Sequence, residues 1–163
     1  MQDLLLIRHA EAEEQSLPQG DATRRLTAHG EQQAHALASA FRGFSLPPDT
    51  ELWYSPKERT RQTAAALQSV LPKLPAIAQP ALADGDFPML QAEWEARGIS
   101  ALILVGHQPF LGDWTALLTG VHLPVSKASL IWLRQGPARM YLAAFLRVDA
   151  LAILGLTAGS PRL

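Results

Sequence analysis

The fold of this chain is decided by the stretch LLLIRHAEA, residues 4–12. It opens with four consecutive apolar residues, and a strand without polar alternation is typical of a parallel sheet covered on both faces. Arg8 and His9 follow directly, where the carboxyl end of such a strand opens toward a ligand site. The stretch therefore predicts a buried parallel strand that delivers a fixed cation and an imidazole to the binding edge of a sheet.

The same arrangement occurs a second time in the chain. The apolar residues 102–105 are followed by one glycine and then by His107, just before a helix start predicted at Pro109. The free N–H groups at a helix N-terminus favour anions. One histidine at such a junction is more often a core or capping residue, but two at equivalent junctions indicate a function. Together with Arg8, whose guanidinium suits phosphate oxygens, His9 and His107 predict a site that accepts a phosphoryl group.

A third basic group, Arg59, follows another predicted strand. Ser55, Pro56 and Glu58 match a helix N-terminus, with serine as the N-cap, proline at N1 and glutamate closing a capping box. Arg59 then lies in the first turn, where a buried cation needs an anionic partner. Arg61 lies about 200° around the helix from Arg59 and is predicted to face solvent.

Strands and helices alternate along the rest of the chain. This order predicts an α/β fold, a three-layer sandwich with a mostly parallel central sheet and helices on both faces, as a single domain over residues 1–163. Residues 11–25 and 83–88 are predicted as loops, 157–163 as a frayed end, and 135–137 as the turn of an antiparallel hairpin at the sheet edge. The predicted strands are 4–7, 51–54, 74–79, 101–105, 128–134 and 139–148, and the predicted helices are 28–43, 56–71, 89–97 and 109–118.

The composition excludes several classes of function. The chain has 163 residues, a formal net charge of −1 and no cysteine. Near-neutral charge gives no basis for nucleic-acid or anionic-membrane binding, and the lack of cysteine excludes disulfides, thiolate metal sites and cysteine nucleophiles. No apolar run has the length of a signal peptide or a transmembrane helix, so we expect a cytoplasmic protein.

These motifs together resemble the histidine phosphatase superfamily, and most of all its small branch of SixA-like phosphohistidine phosphatases. They occur in the family's order and at its spacing over most of residues 1–120. The matching pieces are RHAEA at 8–12, RRLT at 24–27 with Gly30, SP at 55–56 followed by Arg59 and QT at 62–63, and VGHQP at 105–109.

The resemblance implies a mechanism that uses neither metal nor cofactor. His9 would attack phosphorus and become transiently phosphorylated, while Arg8, Arg59 and His107 would hold the non-bridging oxygens. Water would then hydrolyse the phosphohistidine. These cations would do the work that Mg²⁺ does in kinases, and the sequence has no carboxylate cluster of the kind that Mg²⁺ prefers.

The chain departs from the wider family at three points. Ala10 replaces the glycine of the general signature, a change that the small branch tolerates. Gln15 stands where many larger relatives have an asparagine, six positions after the nucleophile. The chain also lacks room for the long insertion with which phosphoglycerate mutases cover their substrate, so mutase activity is disfavoured.

Four further polar residues have open assignments. Arg24 either reaches the phosphate site or lies on the loop surface. Larger relatives place a general acid between the arginine helix and the second histidine, where this chain has Asp84 and Asp86. Each of these is either that acid or a solvated loop carboxylate, and Glu11 is a further candidate near the site.

The predicted function is therefore a phosphatase that acts through a covalent phosphohistidine. Imidazole has a pKa near 6.5 and leaves readily without strong acid assistance, which suits phosphohistidine on a protein partner as substrate. One alternative is a phosphatase of a small phosphorylated metabolite. A second is a non-catalytic phosphate-binding regulatory module. The oligomeric state is left open.

Overall fold

The computed structural model describes residues 3–15 and 20–153, so the predicted fraying of 157–163 lies outside the described residues. Within them the chain forms the strands β1 (Asp3–Arg8), β2 (Glu51–Tyr54), β3 (Ala76–Ala78), β4 (Ala101–Gly106), β5 (Leu130–Gln135) and β6 (Met140–Leu146). They make one sheet in the order β3-β2-β4-β1-β5-β6. The first four of these neighbours are parallel, and β5 and β6 continue the sheet as antiparallel strands. The mostly parallel sheet with a hairpin edge is confirmed.

The two central strands are buried on both faces. All of β4 is buried, and the four apolar residues of β1, residues 4–7, have no exposed surface. A strand in this position has no solvent side on which a polar residue could lie, which explains the unbroken apolar runs in the sequence.

Helices cover both faces of this sheet, as predicted for a three-layer sandwich. They are α1 (Ala28–Ala40), α2 (Glu58–Val70), α3 (Ala81–Asp84), α4 (Phe87–Arg97), α5 (Phe110–Thr119) and α6 (Val148–Ile153). One core cluster joins α1 and α2 to sheet residues such as Leu5 and Ile103. The other joins α3, α4 and α5 to residues such as Leu4 and Leu102. None of the helices in the described ranges has the length and apolar character needed to cross a membrane.

The cap predicted for the first helix is confirmed, whereas the loop predicted at 83–88 is wrong in part. The N–H of Gly30 donates to Thr27 Oγ1 over 3.0 Å, which makes Thr27 the N-cap of α1. In the predicted loop, α3 ends at Asp84 and α4 begins at Phe87. The helix begins early because Asp86 caps it, its carboxylate accepting from the N–H of Met89.

The N-cap predicted at Ser55 is also wrong. Helix α2 begins at Glu58 after Lys57, with no side-chain cap. Ser55 instead extends the strand, because its N–H donates to Val105 O and its carbonyl accepts from the Thr60 hydroxyl. A sequence pattern for a helix cap does not reveal that the Ser55 hydroxyl has another partner, which is the side chain of His107.

We expect Gly30→Ala to destabilise the fold. A Cβ at this helical position would lie 1.9 Å from the carbonyl oxygen of Glu11, so backbone must move to make room for it. Overpacking of this kind costs about 2 kcal/mol in the free energy of unfolding, measured by urea denaturation. Gly43→Ala is the control, because a Cβ there has no atom within 4 Å. An equal loss in both variants would contradict the prediction.

Candidate functional site

The site forms at the carboxyl ends of three neighbouring parallel strands. Arg8 of β1 is paired in register with Gly106 of β4, and the N–H of His9 donates to Gly106 O over 3.1 Å. His9 and His107 therefore leave adjacent strands side by side, with ring centroids 5.2 Å apart. Ser55 follows β2 on the other side of β4. The register of the strands thus brings Ser55 and His107 close to His9, although they lie about fifty and one hundred positions after it in the sequence.

The geometry fixes which nitrogen of His9 carries the proton. Nδ1 lies 2.7 Å from Ala10 O, and since a carbonyl only accepts, Nδ1 carries the hydrogen. Nε2 is then an acceptor, and the Nε–H of Arg59 donates to it over 3.2 Å. The side chain of His9 therefore presents an unprotonated nitrogen beside a guanidinium.

His9 is held neutral by its surroundings. Burial lowers the pKa of His9 to about 4, and the positive charges of Arg59, Arg8 and Arg24 act in the same direction, against the hydrogen bond to Ala10 that raises it. At pH 7 the imidazole is therefore neutral. A neutral imidazole with a free lone pair is a competent nucleophile.

The second histidine is fixed by the serine that the sequence assigned to a helix cap. His107 Nε2 lies 2.8 Å from Ser55 Oγ, and Ser55 has no exposed surface. The pKa of His107 is lowered to about 3, first by burial and then by its neighbours His9 and Arg59. His107 Nδ1 is buried and has no hydrogen-bond partner. A buried polar atom of this kind is expected where a ligand supplies the missing partner.

Arg8 lies beside the two histidines at the end of β1. Its Nη1 donates to Val125 O over 2.8 Å, which fixes the direction of the guanidinium. Its Nε is buried without a hydrogen-bond partner. Burial also lowers the pKa of Arg8, because a guanidinium loses hydration there. Arg8 and His107 thus both have a buried nitrogen that can bind an acceptor.

Helix α2 is joined to the nucleophile segment by threonine. The Thr63 hydroxyl donates to Arg59 O over 2.8 Å and accepts from the N–H of Ala10 over 3.2 Å. This bridge fixes the start of α2, and so Arg59, against the residue that follows His9. Arg61 lies outward and pairs with Glu58 over 2.6 Å, which confirms its predicted solvent position.

The residue that sequence reasoning missed is Asp21. Its carboxylate contacts Lys57 Nζ at 2.7 Å, Arg24 Nη1 at 2.9 Å and Arg59 Nη2 at 3.0 Å. Hydrogen bonds from Lys57, Arg59 and Arg24 hold the pKa of Asp21 well below its ordinary range. The only sequence signal was its place three residues before Arg24 in a polar loop. Lys57, at the start of α2, belongs to the same cluster.

The structure places Arg24 beside the site. Its Nε donates to Glu13 O over 2.6 Å while Nη1 reaches Asp21. These two hydrogen bonds hold the Arg24 guanidinium beside Asp21 rather than in open solvent. The charge of Arg24 also contributes to the lowered pKa of His9. Its assignment to substrate binding stays a prediction.

The three carboxylates considered as general acids are placed apart from His9. Glu11 accepts from the Thr27 hydroxyl over 2.8 Å at the start of α1, and Asp86 caps α4. Asp84 is exposed at the end of α3. In residues 3–15 and 20–153, no hydrogen bond or ion pair joins any of them to the two histidines or to Arg8 and Arg59. Their role as acid stays a prediction.

Acidification is expected to destabilise the fold through the two site histidines. The pKa is about 4 for folded His9 and about 3 for folded His107, whereas an unfolded histidine has a pKa near 6.5. Below pH 6.5 the unfolded chain binds protons at these histidines that the folded chain does not. The contribution of the two neutral histidines to the free energy of unfolding is therefore complete above pH 6.5 and is lost as the pH falls toward 4. Each histidine contributes about 2 kcal/mol of this loss at pH 5.

The measurement is urea unfolding at pH 7.5 and at pH 5. In His9→Asn one of the two groups is removed, so the loss of unfolding free energy between the two pH values should be smaller by about 2 kcal/mol. The same loss in the variant and the parent would show that His9 is not held neutral by burial.

The chain is similar to known proteins in sequence and in fold. A family model described as histidine phosphatase superfamily (branch 1) matches residues 4–101. An uncharacterized protein of Picosynechococcus sp. strain PCC 7002 is 36% identical over 146 residues, which is 85% of this chain and 88% of that protein.

Solved structures share the fold at lower identity. A protein of Agrobacterium tumefaciens provisionally named phosphohistidine phosphatase SixA superposes with a TM-score of 0.77 at 22% identity, over 90% of this chain and 97% of that chain. The protein histidine phosphatase SixA complexed with tungstate superposes with a TM-score of 0.75 at 20% identity, over 91% and 99%. At these identities the likeness shows the fold.

Proposed function

We propose, since this chain belongs to the histidine phosphatase superfamily, that it hydrolyses phosphohistidine on a partner protein through a phosphohistidine intermediate at His9. The observation that carries the proposal is the state of His9. Its Nδ1–H donates to Ala10, its pKa is about 4, and its Nε2 is an unprotonated acceptor of the Nε–H of Arg59. A nucleophile needs that nitrogen unprotonated at the pH of the cell.

In the first step Nε2 of His9 attacks phosphorus in line with the leaving group. A bond forms between Nε2 and phosphorus, and the bond from phosphorus to the substrate imidazole nitrogen breaks, leaving its electron pair on that nitrogen. The other nitrogen of the substrate ring carries a proton in this step, so the substrate leaves as neutral imidazole rather than as imidazolate. The Nε–H of Arg59 loses its acceptor when Nε2 becomes bonded. That N–H can then donate to a phosphoryl oxygen, together with the buried nitrogens of Arg8 and His107.

In the second step water attacks the phosphorus of phosphorylated His9. The Nε2–phosphorus bond breaks, its electron pair returns to the imidazole, and orthophosphate leaves with the oxygen of water. The hydrogen bond from Nδ1 to Ala10 keeps the ring oriented throughout both steps. The protein therefore contributes position and positive charge, which are the main terms in phosphoryl transfer.

The assignment of phosphohistidine as substrate is supported by the surroundings of His9. Within residues 3–15 and 20–153, the three carboxylates that could act as acid form neither a hydrogen bond nor an ion pair with it. An alkoxide is a poor leaving group without a proton, whereas imidazole has a pKa near 6.5 and leaves with little assistance. The site is therefore better suited to a phosphorus–nitrogen bond than to a phosphate ester.

The test compares kcat/KM for a phosphohistidine-bearing protein with kcat/KM for a panel of sugar and nucleotide phosphates. We expect the phosphohistidine protein to be favoured by at least roughly tenfold, the effect of a few kcal/mol of leaving-group assistance that the esters lack. Preference for the esters would support the alternative of a small-metabolite phosphatase. Binding of both without turnover would support a phosphate-binding module.

A further inference from the structure

Asp21 is the one carboxylate among the described residues that contacts the cations of this site. It accepts from Arg59 twice, through its backbone oxygen at 2.7 Å and its carboxylate at 3.0 Å. Both contacts use the terminal nitrogens of the guanidinium, whereas Nε contacts His9. Asp21 is therefore separated from the nucleophile by a single guanidinium group.

Asp21 lies on the solvent side of that guanidinium. Its side chain is 32% exposed, compared with 6% for Arg59, and the other two cations, Lys57 and Arg24, are 26% and 23% exposed. His9 is backed by the buried strand ends. In an in-line displacement the leaving group departs on the face of phosphorus opposite the nucleophile, which here is the face toward solvent. The leaving group therefore passes the side of the site where Asp21 lies.

The charge of Asp21 changes which substrates are attracted to the solvent-facing side of the site. Without its carboxylate, Arg24 and Lys57 would be two unneutralised cations beside Arg59, an arrangement that favours any polyanion. With it, the summed charge of Asp21 and its three cationic partners falls from +3 to +2, and one carboxylate lies on the solvent side of the site. That carboxylate weakens the attraction that the three cations exert on a negatively charged group.

We propose that Asp21 is a specificity-determining residue that disfavours substrates whose leaving group carries negative charge. It thereby reduces the advantage that an anionic leaving group would have at this site over a neutral or cationic one, of which a protein imidazole is an example. This inference rests on the proposed function for the identity of that leaving group. The charge of Asp21 thus provides a basis for choosing between substrates that the reacting atoms themselves do not provide.

The test uses two phosphohistidine peptides that differ only in the residues flanking the phosphohistidine, glutamine in one and glutamate in the other. Phenyl phosphate and 4-carboxyphenyl phosphate form a second matched pair. We expect Asp21→Asn to raise the ratio of kcat/KM for the charged member of each pair to that for the uncharged member by about two- to fivefold over the parent protein, the effect of one partly screened charge. The amide keeps an acceptor oxygen and removes the charge.

Two controls separate charge at the site from other effects. Asp49→Asn makes the same change in net charge, but Asp49 bonds to Ser100, which precedes β4 at the opposite edge of the sheet. It should keep the parent's preference, and so should Asp21→Glu, which retains the carboxylate. If Asp21→Asn fails to fold, Asp21→Ser removes the same charge and should raise the ratio in the same way.

The outcomes distinguish the inference from the proposed function. A charged-to-uncharged ratio that is the same in the parent and in a folded Asp21→Asn or Asp21→Ser overturns the role of Asp21. If neither phosphohistidine peptide is turned over while the esters are, the proposed substrate is wrong. The ester pair then still measures the charge preference.

Discussion

His9→Ala is expected to abolish turnover, with a loss on the order of 10⁴-fold or more in kcat. The variant removes the atom that forms the bond to phosphorus, and no other side chain is placed to replace it. Nε2 is the acceptor beside Arg59, and His107, the only other histidine in the cluster, has its Nε2 engaged with Ser55. The measurement is steady-state hydrolysis of a phosphohistidine protein, with circular dichroism to establish that the variant is folded.

The chain provides a matched control for this variant. His29 is exposed on α1 and contacts only Gln33 through its ring. His29→Ala makes the same substitution away from the site, and we expect its kcat to stay within about twofold of the parent, as for most surface substitutions. Substantial turnover by folded His9→Ala would mean that the reaction does not pass through this residue.

Arg59→Ala is expected to give the second largest effect, a loss of about 10²–10³-fold in kcat. Arg59 is the guanidinium in direct contact with Nε2 of His9, and its side chain is only 6% exposed. An N–H donor in a site from which water is excluded stabilises the charge on the transferring phosphoryl group far more than it would in water. The loss should fall mainly on kcat, because the Nε–H of Arg59 becomes free to donate to a phosphoryl oxygen only as the bond to Nε2 forms.

Arg61→Ala is the control for this second variant. Arg61 is on the same helix two residues later, but its side chain is 54% exposed and pairs with Glu58. Its removal should leave kcat within about twofold of the parent value, since exposed ion pairs contribute little. Equal losses in the two variants would show that overall positive charge, rather than the contact with His9, supports the reaction.

The parts of the site that lie at strand ends could be predicted from the sequence. Unbroken apolar runs before His9 and before His107 identify strands buried on both faces, and the carboxyl ends of parallel strands meet at one edge of a sheet. The observed pairing of Arg8 with Gly106 places the two histidines side by side, as that reasoning requires. The place of Arg59 at the site could be predicted for a related reason, since its helix follows a third predicted strand, residues 51–54.

The contacts made by Ser55 and Asp21 could not be predicted in the same way. The Ser55 hydroxyl has two possible roles, and local sequence favours the helix cap because the pattern for a cap is local. Its actual partner, His107, is 52 residues away. Asp21 lies in a polar loop without periodicity, and only the fold places its carboxylate among Arg24, Lys57 and Arg59.

The most direct test of the account is to trap the intermediate. A substrate with a labelled phosphoryl group is mixed with the protein, the reaction is quenched in alkali within milliseconds, and the label is located by mass spectrometry. We predict acid-labile phosphate on Nε2 of His9, formed and lost at rates that match turnover, and no label on His9→Ala. Label on another residue or on Nδ1 of His9, or turnover without any label on the protein, would contradict the account.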